Sequence, residues 1–533
     1  RSSMSGVRSR KMRLSRMLLH LYLIGSASSF HVTSHIPING GKHRLDKKVP
    51  SLTAPHHRPS SFSPALHPLV KRQTRSTLGR AETSSMSDAV SSKFSWLDWY
   101  PVSPAKDLKK DQPNQVVLLG LDLVVWWHQP SGTWSCFADE CPHRLAPLSE
   151  GRIDKNGNLQ CAYHGWEFSE KGSCERIPQD SMDTMKCDKK ACATSYPVME
   201  EQGLLWIFPD TDRNLAMSKS PKIIPQFDDP AFVDPTNFFM RDVPYGWDTL
   251  IENLVDPSHV PFAHHGLIEA RDQGRPINLY VESHEAGFEG YDMDQNSTSR
   301  RFVIKFRPPC LISYEIERKS SSDPEKNSTF LGLGTYCIPT APGHSRLITR
   351  FPFRFPNQIV ANIVRMQPRW MTHLSQNQVI DSDNVFLSLL ESKLRSDEDS
   401  SNFKRYYVPA AADRPVLAFR QWLQKQGGQP AWLGTPSMLP KKGSRRELLD
   451  RYEQHTKICS SCSRAHHRLT RGSKISIFAA AAALVASAFA QSVRMKVLCV
   501  CTFFLSLGIK VLADQFRKKL EYVPWPSKEW LRP

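Results

Sequence analysis

From Trp96 to Pro209 the apolar positions fall in short runs broken by turn residues. Examples are Val116-Val117-Leu118-Leu119, Leu123-Val124-Val125-Trp126-Trp127 and Gly203-Leu204-Leu205-Trp206-Ile207-Phe208. Runs this short, rich in β-branched and aromatic residues, predict strands. The Pro/Asp-rich piece Pro209–Pro235 predicts a linker. Beyond it the text becomes mixed. A helical segment is expected around Trp247–His265, β-like runs at Phe302–Phe306 and Ser345–Phe351, and a helix around Val379–Leu394. No internal repeat is found. Near the end, Ile475–Ala490 is uncharged and apolar, and Val497–Ala513 is apolar except for Lys510. Each approaches the roughly 17–25 residues that span a bilayer, so a helical hairpin in a membrane is expected. A buried helical hairpin is the alternative.

The pattern gives an α+β chain in six parts: a leader at 1–92, a β-rich domain at 93–209, a second domain at 210–450, a linker at 451–474, two transmembrane helices at 475–513, and a polar tail at 514–533. A chain of 533 residues has room for these domains.

The net charge of +18 would suggest nucleic acid if it were spread over a folded surface. It is not. Residues 1–90 hold 15 Lys/Arg against three acidic residues, which accounts for +12 and leaves +6 for the rest. Nucleic-acid binding is therefore set aside. The leader itself has an order: basic residues Arg8 to Arg16, the apolar run Met17–Gly25, then Ser26-Ala27-Ser28-Ser29 and Phe30. That is the layout of a signal peptide, and the Ser-, Pro- and Arg-rich stretch that follows reads as a transit peptide. The two in tandem resemble the bipartite leader of algae with secondary plastids. Around the apolar pair, Arg468, Arg471 and Lys474 precede and Arg517, Lys518 and Lys519 follow, with only Arg494 and Lys496 between. The positive-inside rule then puts both outer flanks, and the body, on one side.

Twelve cysteines in a chain this long do not suggest a disulfide scaffold. Four positions suggest metal chemistry instead. Cys141-Pro142-His143 and, 17 residues on, Cys161-Ala162-Tyr163-His164 form C-x-H and C-x2-H arms. Two thiolates suit one iron of a [2Fe–2S] pair and two imidazoles the other, which raises the potential. The same ligand types also suit zinc, but zinc sites usually pair Cys with Cys and His with His. The flanks Arg144-Leu145-Ala146-Pro147-Leu148 and Gly165-Trp166-Glu167-Phe168 look like the two loops of a Rieske domain. Further on, Asn253-Leu254-Val255-Asp256-Pro257-Ser258-His259 continues to His264 and His265. Two imidazoles with a carboxylate on one face of an iron leave positions open for dioxygen.

These passages together resemble the plastid Rieske monooxygenase family, the group of pheophorbide a oxygenase, chlorophyllide a oxygenase and import-associated Rieske proteins. Val243-Pro244-Tyr245-Gly246-Trp247, Asp381-Ser382-Asp383, and the Cys459-Ser460-Ser461-Cys462 pair before the hydrophobic hairpin add to the likeness. The resemblance covers about Phe94–Leu512. It implies a Rieske domain followed by a helix-grip (START-like) catalytic domain. It implies a cluster on Cys141, His143, Cys161 and His164, and a mononuclear iron on His259, His264 and Asp383. The x4 spacing selects His264 over His265, and the family pattern selects Asp383 over Asp381; read without it, either Asp is a helix N-cap. Asp256 is implied as a bridge between a cluster histidine and an iron-ligating histidine of the next subunit, with a cap at the Asp-Pro turn as the plain alternative.

The resemblance further implies ferredoxin as electron donor, O2 as co-substrate, a tetrapyrrole substrate, a homotrimer, and a plastid envelope or thylakoid membrane with the catalytic domain in the stroma. Cys459 and Cys462 are implied as a redox pair answering to thioredoxin; a free thiol pair, or a metal clip with Cys499 or Cys501, is the alternative. A second functional reading stays open: a redox-sensing component of the plastid inner-envelope import machinery.

Overall fold

The computed structural model describes residues 94–180, 188–284, 286–292, 300–318, 329–394, 405–426, 428, 430, 432–434 and 443–526. The expected leader lies outside them.

The first half is built from three small antiparallel sheets. One joins β1 (Tyr100–Pro104) to the later strands β9 (Val198–Glu201) and β10 (Leu204–Ile207). The second is the meander β2 (Asn114–Leu118), β3 (Leu121–His128) and β4 (Thr133–Ala138). The third carries four very short strands, β5 (Arg152–Ile153), β6 (Leu159–Gln160), β7 (Glu167–Phe168) and β8 (Cys174–Arg176). Strand β3 shows why its run is uninterrupted. Leu123 and Val125 enter one core while Val124 and Trp126 enter another on the opposite face. Alternate side chains of a strand face opposite ways, so a strand buried on both sides must be apolar throughout.

The expected linker at 209–235 is packed rather than free. Asp212 caps a short helix, Arg213–Met217, by accepting from the Asn214 and Leu215 amides, and Ala216 and Ile224 are buried in the first core. Asp212 acts there as an N-cap, satisfying amides that the first helical turn leaves open.

The second half is one large antiparallel sheet. Its strands are β11 (Phe239–Val243), β12 (Leu279–His284), β13 (Gly287–Asp292), β14 (Arg300–Arg307), β15 (Leu311–Arg318), β16 (Thr329–Ala341), β17 (His344–Arg350) and β18 (Phe353–Arg354). Their order is β11-β17-β16-β15-β14-β13-β12, with β18 pairing β16. Here too neighbouring residues divide between faces. Phe239, Leu347, Cys337 and Ile312 point into a core covered by helices; Met240, Ile348, Ile338 and Leu311 point into the core of the first half. The sheet is thus the middle layer of the molecule.

Three helices cover its inner face. Helix α1 (Trp247–Val255) buries Trp247, Leu250, Ile251 and Val255, and α3 (Arg414–Lys425) buries Val416, Phe419, Trp422 and Leu423. Both sets follow the three-and-four spacing of a helical face. Between them in sequence runs α2 (Arg369–Leu394), which contributes Leu387. It begins ten residues before the expected start at Val379, directly after Pro368, whose ring lacks an amide and suits a helix entrance. The helix expected over Trp247–His265 is interrupted at Asp256-Pro257 and resumes only as the short turn Val260–Ala263. The residue before a proline is pushed out of the helical region; this break is what lets the His259 and His264 loop fold back.

The C-terminal segment differs most from the expected layout. The stretch 451–474 is no linker: Tyr452–Thr456 is a π-helical turn, and α4 (Ser460–Phe489) begins at the second residue of the Cys459–Cys462 motif. Helix α5 (Val493–Glu521) likewise runs through the first residues of the expected tail. Both are long and apolar enough to cross a bilayer and pack along each other. Their lower ends are tied together and to the body: Ser473 Oγ donates to Asp514 (2.8 Å), His466 pairs with Glu521 (2.8 Å), and Leu520 is buried against Cys459 and Cys462. Their outer ends expose Phe478, Leu484, Phe489, Val493, Phe504 and Leu505. Lys510 is held by Asp514 one turn away (2.7 Å).

Candidate metal centres

Two loops with matching backbone geometry carry the first ligand set. In the loop after β4, the Cys141 amide donates to Ala146 O (2.8 Å) and the Leu145 amide to Cys141 O (2.8 Å). In the loop between β6 and β7, the Cys161 amide donates to Trp166 O (2.9 Å) and the Gly165 amide to Cys161 O (3.0 Å). Each loop turns at a residue with positive φ, Leu145 at 58° and Gly165 at 76°. Glycine adopts that conformation freely, whereas leucine there is strained. Such strain persists only where the surroundings enforce it.

The two loops bring the four residues together with the sulfurs inside and the imidazoles outside. Cys141 and Cys161 are both buried, and the nearby Cys161 thiol adds to that burial in keeping Cys141 protonated. The His143 and His164 rings lie 4.5 Å apart between centroids, His143 exposed and stacked on Trp166 at 4.7 Å. Burial pushes the Cys141 thiol up to about 12, against the pull of the His143 and Arg144 amides aimed at its sulfur. A thiolate there needs a cation, and amides pointing at the sulfur are the kind of contact that tunes an iron–sulfur centre. The residues present fit a [2Fe–2S] cluster held by two thiolates and two imidazoles.

The second set joins a loop to a distant helix. His259 Nε2 and His264 Nε2 face each other at 3.2 Å, and His264 Nε2 lies 3.5 Å from Asp383 Oδ2 on α2. The three donor atoms lie within 4.8 Å of one another. Metal bonds of about 2.1 Å at right angles would space donors about 3 Å apart. The tautomers agree. Ser382 Oγ donates to Val379 O (2.6 Å), so it accepts from His264 Nδ1 (2.7 Å), leaving Nε2 with its lone pair inward. His259 Nδ1 turns toward Asp256 Oδ2 at 3.6 Å, slightly beyond hydrogen-bond length, and its Nε2 likewise faces inward. Two nitrogen lone pairs 3.2 Å apart beside a carboxylate repel unless a cation sits among them. The donor set fits a mononuclear iron with coordination positions to spare.

The electrostatics separate the two imidazoles. Burial pulls His264 below the ordinary imidazole value, only partly offset by Asp383. Burial acts on His259 in the same sense, but Asp256 and Asp383 outweigh it and hold it above. Burial also pushes the Asp256 carboxyl up, yet His259 and Ser258 outweigh it and leave it below the usual carboxylate range. Ser258 fixes Asp256 through its amide (2.7 Å) and its hydroxyl (2.5 Å).

The remaining candidates go elsewhere. His265 turns into its own loop and accepts from the Arg271 amide (3.2 Å). Asp381 is held between two buried guanidiniums, Arg241 at 2.7 Å and Arg451 at 2.7 Å, and is not free for iron. Cys459 and Cys462 are buried and not bridged to each other, and they face two histidines, His373 and His455, with which they make a further candidate donor cluster. Only the spacing His455-x3-Cys459-x2-Cys462 could have signalled this; His373 carries no local signal.

Comparison with known proteins agrees with this geometry. The Rieske [2Fe-2S] domain profile matches residues 98–196 and the pheophorbide a oxygenase profile residues 306–401. The chain is 38% identical over 473 residues to a chloroplastic pheophorbide a oxygenase of Oryza sativa subsp. japonica, covering 84% of this chain and 88% of that one. It is 40% identical over 404 residues to the chloroplastic flavonoid 8-hydroxylase 2 of Ocimum basilicum, covering 71% and 75%. Among solved structures, dicamba monooxygenase bound to dicamba superposes with a TM-score of 0.50 at 21% identity, over 62% of this chain and 96% of that one; this likeness concerns the fold.

Proposed function

Because the chain belongs to the pheophorbide a oxygenase family and is a Rieske non-haem iron oxygenase, we propose that it oxygenates a chlorophyll-derived tetrapyrrole, pheophorbide a or chlorophyllide a. The carrying observation is the assembled His259, His264 and Asp383 triad in the same chain as the two Rieske loops. A redox-sensing import component needs the cluster alone and gives no reason for a second donor set. Substrate choice leans on extent of likeness. Identity to the flavonoid hydroxylase is slightly higher, but the match to the pheophorbide enzyme runs over 473 rather than 404 residues.

When bound, the cluster supplies electrons one at a time and the mononuclear iron supplies open positions for O2. The protein's own residues do the rest. The exposed His143 edge offers a docking point for ferredoxin. Ser258 holds Asp256 against His259, and the Asp256 side chain keeps 25% of its surface accessible. That exposure supports a contact with a cluster histidine of a neighbouring subunit, and a head-to-tail contact of this kind closes into a ring, here a homotrimer. Ser382 keeps His264 in the tautomer that presents Nε2.

The exposed apolar faces of α4 and α5 fit a plastid membrane, envelope or thylakoid, with the basic outer flanks and the body in the stroma. The test is oxygen uptake by the purified full chain with reduced ferredoxin and a panel of pheophorbide a, chlorophyllide a and a flavone. Uptake matched to loss of one pigment is expected. Uptake with the flavone alone would overturn the substrate, and none with any compound, at full metal loading, would favour the import component.

A further inference from the structure

The four side chains His373, His455, Cys459 and Cys462 converge in a pocket away from both centres already described. His373 lies on α2, His455 in the π-helical turn, Cys459 at the N-cap of α4 and Cys462 in its first turn. All four are buried, none above 1% exposed. Their inward atoms lie within 4.8 Å of one another. His373 Nδ1 is 3.1 Å from His455 Nε2, Cys462 Sγ is 3.2 Å from His455 Nε2 and 3.5 Å from His373 Nδ1, and Cys459 Sγ is 3.6 Å from His373 Nδ1.

The outward nitrogens decide what the inward ones are. His373 Nε2 faces Thr236 O at 2.9 Å, and His455 Nδ1 faces Met240 O at 2.5 Å. A carbonyl only accepts, so both outer nitrogens carry the proton and both inner ones present lone pairs. Two lone pairs 3.1 Å apart, out of reach of water, repel each other. An imidazole whose outer N–H is pinned by a backbone carbonyl is the usual condition of a metal-bound histidine.

We infer that these four residues form a closed, tetrahedral Cys2His2 site for zinc, which fastens the C-terminal hairpin to the catalytic domain. Bonds of about 2.0–2.1 Å to nitrogen and about 2.3 Å to sulfur put tetrahedral donors about 3.3 Å apart for a nitrogen pair and about 3.5 Å for nitrogen with sulfur; the nitrogen pair and three nitrogen–sulfur pairs given above run from 3.1 to 3.6 Å, and the remaining pairs lie within 4.8 Å. Two thiolates and two neutral imidazoles give a neutral complex with Zn2+, the two thiol protons leaving to solvent. Neutrality suits a site without water. With four protein ligands no position is open, so the role is structural rather than catalytic. His373 sits ten residues before Asp383 on the same helix, about 15 Å along its axis. The clamp therefore holds the helix that carries the carboxylate of the mononuclear site.

The experiment uses the full chain in detergent, purified without chelator. Elemental analysis is expected to find about one zinc per chain beside the iron, and the zinc absorption edge to show two sulfur and two nitrogen neighbours. Cys462→Ser should lose the zinc while the Rieske electron paramagnetic resonance signal is retained. Should that variant fail to fold, the metal content and edge spectrum of the unaltered chain decide alone. Absence of zinc from the unaltered chain overturns the inference, whether the thiols are found bridged and exchanging with a thioredoxin or the site holds iron.

Discussion

Each histidine that points into the mononuclear site or the Cys2His2 site turns its other nitrogen toward a specific acceptor, within hydrogen-bond length for three of them and at 3.6 Å for His259. Ser382 serves His264, Asp256 serves His259, Thr236 O serves His373 and Met240 O serves His455. Orienting contacts of this kind set tautomer and ring angle, and their loss typically costs about 10–100-fold in affinity or activity. Asp256 is the most informative of them because it is both an orienter and, in our reading, the inter-subunit bridge. Replacing Asp256 with Asn keeps shape and removes charge. The variant should load both iron centres, yet the rate at which substrate and O2 reoxidise the reduced cluster should fall about 10–100-fold. Stopped-flow absorbance of the cluster checks this; an unchanged rate removes Asp256 from the electron path.

At the scale of elements, α2 shows how one helix serves several purposes. Successive residues of a helix point about 100° apart, so Asp381, Ser382 and Asp383 reach three different partners: two arginines, His264, and the iron site. Asp381 is the one carboxylate shared by two buried guanidiniums. Asp381→Ala would take the shared carboxylate from both, leaving Arg241 with Asn377 and Gln454 and Arg451 with the Lys519 carbonyl, and should destabilise the chain by about 3–5 kcal/mol. Loss of the exposed Glu453–Lys457 pair through Glu453→Ala should cost less than about 1 kcal/mol. Urea midpoints of the two variants measure the contrast, and equal midpoints would contradict the role given to Asp381.

The same helix explains what could be read in advance. The residues proposed to hold the cluster sit on two short loops, each with its Cys and His within one turn of chain, so spacing singled them out and the flanking residues turned the reading from zinc to a Rieske cluster. His259 and His264 share one loop and were equally legible. Asp383 lies more than a hundred residues away and could be chosen over Asp381 only by likeness to a family. Its neighbour's ion pairs with Arg241 and Arg451, which explain that choice, are made only when β11, α2 and the turn before α4 pack together. His373 stayed invisible for the same reason: a lone histidine on a helix says nothing until its partners arrive. The hairpin was read from apolar runs, but the helices extend past those runs because their polar ends are held by Asp514, Glu521 and Leu520 contacts rather than by lipid.

At the scale of the whole molecule, the large sheet is apolar on both faces, with helices and the mononuclear site on one side and the Rieske-side sheets on the other. The cores packed on its two faces thus join the two metal-bearing halves through one shared sheet, whereas the apolar length of α4 and α5 is left exposed among the described residues. The account stands on two chemically distinct iron centres loaded by this one polypeptide. The most direct measurement is Mössbauer spectroscopy of the full chain reconstituted with iron-57 and sulfide and then reduced. Three irons per chain are expected: a cluster with one localised ferrous and one ferric site, and a high-spin ferrous ion that is absent from the His259→Ala variant. A spectrum lacking either component in the unaltered chain, or a ferrous ion indifferent to His259→Ala, would contradict it.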